Sequence, residues 1–172
     1  MRRVMIVGQP GSGKSTLARA LGARTGLPVV YIDHIHWQAN WIERTHEEKT
    51  RLCREVEARE AWIFEGGHAA TWPTRVARAD LLIWLDRPVG LRMQRVVIRC
   101  LRHLGRTRPD LPDGCPETLR AMPAFVRFIW RTRQTARERM ERLAAEASCP
   151  VVRLRSDQEV AELLASLPVG SG

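Results

Sequence analysis

Lysine is almost missing from this chain: of 28 basic residues only Lys14 and Lys49 are lysine, and the rest are arginine. Cysteine is also sparse. Cys53, Cys100, Cys115 and Cys149 are scattered with no CxxC and no Cys/His ligand spacing, which excludes zinc ribbons and thioredoxin-like redox motifs. Four reduced thiols in an intracellular protein is the plain expectation. Long apolar runs are absent. The densest, Leu81 to Leu85, has five residues, against the roughly 18 that a membrane span requires. Only four apolar residues separate Arg3 from Gly8, short of the about 7–15 in a signal-peptide core. A cytoplasmic protein, neither secreted nor membrane-spanning, is therefore expected. Internal repeats and low-complexity stretches are lacking too.

What is present fits one domain. The chain has 172 residues, 44% hydrophobic and 27% charged, which is ordinary globular composition and enough to bury a core without disulfides or a structural metal. The net charge is +9, and its location is informative. Residues 87–142 carry 14 arginines against 5 acids, and the segments on either side nearly balance. Such a block suits the phosphates of a small ligand or a nucleic-acid backbone. No helix-turn-helix, zinc finger or aromatic RNA-binding motif accompanies it.

Hydrophobic patterning predicts alternating strands and helices. Strands are expected at 3–7, 28–33, 62–64, 79–86 and 150–154. Helices are expected at 16–24, 44–61, from Pro88 to about 104, at 117–147 with a break at Pro123, and at 157–167. This alternation implies a three-layer α/β domain over residues 1–167 with a five-stranded parallel sheet. Residues 168–172 are expected to form a disordered tail. The Gly/Pro/Asp-punctuated stretch 105–116 reads as a mobile flap between two arginine-bearing helices, giving a lid at about 99–137.

One motif carries chemistry. Gly8-Gln9-Pro10-Gly11-Ser12-Gly13-Lys14-Ser15, followed by Thr16, matches GxxxxGK[ST] between an apolar strand and a helix. Its glycines let backbone N–H groups curl around an anion, the helix adds its positive end, Lys14 reaches the β/γ-phosphates, and Ser15 ligates Mg²⁺. The motif implies ATP with Mg²⁺. Ligands of parallel sheets sit at the carboxyl ends of the strands. There Glu65 is a candidate to organise Mg²⁺, and Asp33 to hold or deprotonate an acceptor. Asp86 is a weaker acidic candidate. His34, His36, Trp37, Gly66 and Gly67 are candidate walls of an acceptor site. Arg92, Arg95, Arg99, Arg102 and Arg106 are spaced to form one helical stripe. Arg127, Arg131, Arg133 and Arg137 form a second set beyond the flap. Of these, Arg95, Arg99, Arg131, Arg133 and Arg137 are the candidates to neutralise a transferring phosphoryl group.

GQPGSGKST, YIDHIHW, WIFEGGH, RADLLIWLDRP and VVRLRSDQEV, in this order and nearly end to end, resemble the adenylate-kinase-like branch of P-loop kinases. Within it the chain is similar to the bacterial DNA topology modulation proteins. The resemblance implies a five-strand parallel sheet, an acceptor region after strand two and a short lid. It puts Glu65 where nucleoside monophosphate kinases carry an Asp near Mg²⁺, and Arg95 and Arg99 at the first lid positions. One or more of Arg131, Arg133 and Arg137 would match arginines after the lid. Adenylate kinases carry an arginine four residues after the strand-three acid; here that residue is Ala69, and Arg75 is the candidate substitute. The implied reaction is transfer of the ATP γ-phosphate to a small acceptor such as a nucleoside monophosphate. The alternative is an NTP-binding regulator holding nucleic acid through residues 87–142.

Overall fold

A computed structural model of the chain describes residues 1–167; the expected tail 168–172 lies outside the described residues. β1 (Arg3–Gly8) leads through a loop to α1 (Lys14–Thr25), then β2 (Val29–Tyr31) and the short α2 (Ile32–His36). A small hairpin follows, β3 (Trp37–Gln38) with β4 (Ile42–Glu43), then α3 (His46–Glu57) and β5 (Trp62–Glu65). After α4 (Trp72–Arg78) come β6 (Leu81–Leu85), α5 (Val89–Arg102), α6 (Met122–Arg131), α7 (Arg133–Glu146), β7 (Val151–Leu154) and α8 (Asp157–Ser166).

The sheet is parallel and five-stranded in the order β2-β5-β1-β6-β7, as the alternation predicts. Its strands are apolar on both faces because helices cover both. Met5, Val7, Trp62, Phe64, Leu82 and Trp84 join the core under α3, α4 and α7. Val4, Ile6, Ile63, Ile83 and Leu85 join the core under α1 and α8. Side chains such as Ile6 and Ile63 are wholly buried, each worth about 1.5–3 kcal/mol. The register pairs Ile6 with Glu65, Tyr31 with Glu65, and Gly8 with Leu85, so the strands end together at one edge. Among the described residues no helix is long and apolar enough to cross a membrane.

Three expectations are corrected. The second strand stops at Tyr31 because its partner β5 ends at Glu65, leaving Ile32 no ladder, and Asp33 lies in the first turn of α2. The long helix starts at Met122, with Pro123 in its first turn where proline is favoured, and divides at Thr132. Glu117 is held out of it by hydrogen bonds, Gly105 N–H to Glu117 C=O and Glu117 N–H to Arg106 C=O. The arginine stripe is shorter than expected, since α5 ends at Arg102 and Arg106 lies beyond it.

Candidate functional site

The loop from Gly8 to Lys14 turns back sharply at the carboxyl end of β1. Gly11 has φ of +78°, and a Cβ there would sit 2.3 Å from the backbone oxygen of Arg92. Both the conformation and the space demand glycine. Gly13, at φ of +99°, precedes α1 and offers no side-chain cap. The first amides of α1 are thus left for an anion at the positive end of the helix. Ser12 N–H donates to Gln9 C=O at 3.1 Å and Lys14 Nζ to the same oxygen at 3.4 Å. Lys14, Ser15 and the exposed Thr16 begin the helix. Pro10 has its carbonyl near the Arg92 guanidinium, 3.4 Å away.

Glu65 ends β5 and is 1% exposed. Ser15 Oγ donates to its Oε1 at 3.3 Å, and its Oε2 is buried with no hydrogen-bond partner among the described residues. Burial pushes its pKa up to about 7; Lys14 and Ser15 oppose the rise, and the carboxylates of Asp33 and Asp110 add to it. A buried carboxylate oxygen without a donor, beside a hydroxyl at the mouth of an anion cradle, fits a hard cation. Ser15 and Glu65 are the residues that would hold Mg²⁺.

The residues expected to wall an acceptor lie on α2 and in the turn after β5. Gly66, at φ of +98°, lets this turn press against α2; a Cβ there would meet Ile32 Cγ2 at 2.1 Å. Gly67 packs on the Trp72 ring. Asp33 is half-buried, within electrostatic reach of Glu65 and of Arg99. His34 Nε2 lies 3.3 Å from the Pro109 carbonyl. His36 is drawn away to Glu43, 3.3 Å off, which also binds Lys49 at 2.6 Å; burial holds the His36 pKa below its usual value. Trp37 lies edge-on to His36 and to Trp41.

Arg75 is a correction. Instead of lining the acceptor region it is fully buried beneath it, over the Phe64 ring, donating to Glu57, to Gly66 C=O and to Thr71 Oγ1. It braces the Gly66 turn. The arginines beyond the lid, also expected at the transferring phosphoryl group, are exposed or held by other partners. Arg131 is exposed, Arg133 lies on the Trp130 ring and donates to the Trp130 carbonyl, and Arg137 links Asp86 to Glu141. Asp86 is an ion-pair acid, receiving Arg153 at 2.6 Å.

Of the two candidate first lid arginines, Arg95 comes close to the loop. Arg95 Nη1 reaches the Ser12 carbonyl at 3.5 Å and lies 3.6 Å from where a Gly13 Cβ would be. Asp157, which is invisible as a site residue in the sequence, fixes it at 2.6 Å and holds Arg87 at 2.9 Å. Arg99 lies 3.6 Å from Glu117. That carboxylate also pairs at 2.8 Å with the buried Arg108, which binds Asp110 at 2.5 Å.

The stretch expected to be a mobile flap is docked instead. Asn40 N–H donates to Gly114 C=O at 2.9 Å, Trp41 Nε1 to Pro116 C=O at 3.0 Å, and Leu111 and Cys115 are buried. It rests on the β3–β4 turn, brings the Pro109 carbonyl to His34 of α2, and carries Arg108 and Asp110, which sequence reasoning missed. The signal available was Leu111 and Cys115, apolar residues that a solvated loop does not need.

A family model described as "ATPase family associated with various cellular activities (AAA)" matches residues 4–64. A shikimate kinase of Paracidovorax citrulli is 30% identical over 130 residues, covering 66% of this chain and 68% of that protein. A cytidylate kinase of Methanoregula boonei is 29% identical over 112 residues, covering 56% of this chain and 60% of that protein. The chain spans 56% of the cytidylate kinase of Pyrococcus furiosus, at 32% identity. The solved structure of a shikimate kinase from Acinetobacter baumannii in complex with shikimate superposes with a TM-score of 0.57 over 96% of this chain and 94% of that one, at 20% identity. These matches bear on the kinase part of the resemblance and on the fold, not on the DNA topology modulation family.

Proposed function

Because the chain belongs to the P-loop kinases, the family of its shikimate kinase relative, we propose that it transfers the γ-phosphate of ATP to a small acceptor, with Mg²⁺. One observation carries this reading: the buried carboxylate of Glu65, one oxygen on Ser15 and the other without a partner among the described residues, faces the cradle that ends in Lys14. Bound Mg²⁺ would neutralise charge on the phosphates. Backbone amides from Gly8 to Ser15 grip the polyphosphate. Lys14 and Arg95 hold its charge from two sides, and Arg99 stands beside the acceptor. Asp33 accepts a hydrogen bond from the acceptor hydroxyl and orients it. The docked lid excludes water, which suits transfer to an acceptor over hydrolysis.

The acceptor is read as a hydroxyl-bearing small molecule more readily than a nucleoside monophosphate. Two arginines beside this region are already engaged: Arg44 with the carbonyls of His34, Ile35 and Trp37, and Arg75 with Glu57 and Gly66. The regulator reading draws on the arginines of 87–142, and Arg87, Arg95, Arg99, Arg108 and Arg137 all have carboxylate partners. That pairing leaves fewer of them free for a nucleic-acid backbone. An ADP-release screen over nucleoside monophosphates and hydroxylated metabolites tests the proposal. Release that requires an acceptor and falls about 100-fold or more in Lys14→Ala is expected. Release that ignores both the acceptor and Lys14 would sink it.

A further inference from the structure

Behind the phosphate loop a second cavity of about 480 Å³ opens between the ends of β6 and β7, the start of α5 and the first turns of α7. Gln9 is the loop's contribution to its wall; Lys14, Ser15 and Glu65 do not line it. Five arginines line it, Arg87, Arg92, Arg133, Arg137 and Arg155, with one acid, Asp86; the Arg133 guanidinium lies over Trp130, which leaves four guanidinium groups for an occupant. Asp86 is already shared. Arg153 Nη2 lies 2.6 Å away, Arg137 Nη2 3.4 Å and Arg155 Nε 4.0 Å. Arg87 and Arg137 have second acids in Asp157 and Glu141.

Arg92 and Arg155 have no such relief. Arg92 is 3% exposed, and its N–H groups go to the carbonyls of Arg87 and Pro10 at 3.2 and 3.4 Å. It has no carboxylate within ion-pair distance among the described residues. Beyond its distant share of Asp86, Arg155 has none either. Arg87 Nε is buried with no hydrogen-bond partner among the described residues. A buried cation without a counter-charge is costly, and an anion brought beside it lowers that cost.

We propose that this cavity binds a small phosphate dianion, as a site separate from the phosphate loop. Forked guanidinium groups match the oxygens of phosphate two at a time. The volume exceeds one phosphate and falls in the range of about 300–1,000 Å³ that holds small organic ligands. A phosphomonoester with a small body therefore fits as well as the free ion. The wall shared through Gln9, whose Nε2 donates to Arg133 C=O at 2.8 Å, ties the occupant to the loop.

Calorimetric titration at constant ionic strength tests this, with inorganic phosphate in one arm and glycerol 3-phosphate in the other. The wild type is expected to show two phosphate-binding events. Lys14→Ala removes the event at the phosphate loop. The double variant Arg137→Gln/Arg155→Gln weakens the other at least tenfold; both side chains are more than half exposed, so the fold tolerates the change, and a thermal melt checks it. Tighter glycerol 3-phosphate assigns the organic body and equal affinity assigns the free ion, either of which supports the site. The proposal is overturned if phosphate binds nowhere, if the double variant binds it within twofold of wild type, or if Lys14→Ala abolishes every event. Were the kinase reading to fail instead, the event lost in the double variant would remain.

Discussion

Glu65 sits where burial disfavours its negative charge. Its pKa in the folded chain, about 7, lies above the value of an exposed carboxyl. The folded state therefore binds this proton more tightly than the unfolded state does. The resulting stability is fully present below about pH 4.5 and is lost as pH rises through about 7, a difference of about 3 kcal/mol at most. Glu65→Gln removes the titration. Without Mg²⁺, the variant should melt near wild type at pH 5 and on the order of 5 °C above it at pH 8, while its Mg²⁺ affinity with ATP falls about 10–100-fold. Equal melting temperatures at pH 8 would show that the carboxylate is not desolvated as described. At this scale the sequence was legible where one residue acts through its own neighbours. Gly11, Gly13, Lys14 and Ser15 follow from a contiguous motif, and Glu65 from its place at a strand end. Arg75 was not legible, because its burial depends on Glu57, 18 positions away, and an arginine reads the same in sequence whether it lines a site or lies under it.

Among the elements, the lid shows where pattern reading gives out. Gly, Pro and Asp punctuation identifies residues 105–116 as non-helical and says nothing about what they rest on. The stretch is held by hydrogen bonds from the Asn40 N–H and the Trp41 indole of the β3–β4 turn, where these two residues take φ of +63° and +60°. Such angles cost free energy for residues other than glycine and persist where surrounding contacts impose them. Glu117 is the anchor, since it stands between Arg99 and Arg108. Glu117→Gln leaves two guanidinium groups facing each other with Asp110, and Asp33 at longer range, to offset them. A loss of about 3 kcal/mol is expected. Faster hydrogen exchange at the Asn40 and Glu117 amides would accompany it, with β1 protection unchanged. Uniform loss of protection across lid and sheet would instead mean that the lid has no separate opening. The hairpin and α4 were missed for a related reason. Two-residue strands and a seven-residue helix are too short to show a period, and their placement is decided by packing.

For the whole molecule, the alternation of apolar strands with amphipathic helices sufficed to give the sheet, because strands buried on both faces must be continuously apolar wherever they fall. Long-range pairing carries no such mark. Asp157 reads as an ordinary helix-capping acid, yet it joins the last helix to the phosphate loop by holding Arg95 and Arg87 across 62 and 70 positions. Hydrogen bonding to Arg95 keeps its pKa below the usual carboxylate value. This contribution to stability is present at neutral pH and is lost as pH falls through that depressed value. The carboxylate is 73% exposed, so solvent screens the pair, and Asp157→Ala should cost only about 1 kcal/mol, or roughly 2–4 °C in Tm. Its larger effect should fall on the site. Arg95 loses the partner that keeps it beside Ser12 and Gly13, and ATP affinity should drop about tenfold, with Asp157→Glu restoring most of it. Calorimetry of ATP with Mg²⁺ against the three proteins measures this. If Asp157→Ala binds the nucleotide as wild type does, Arg95 reaches it unaided, and the chain's last helix is no part of the site.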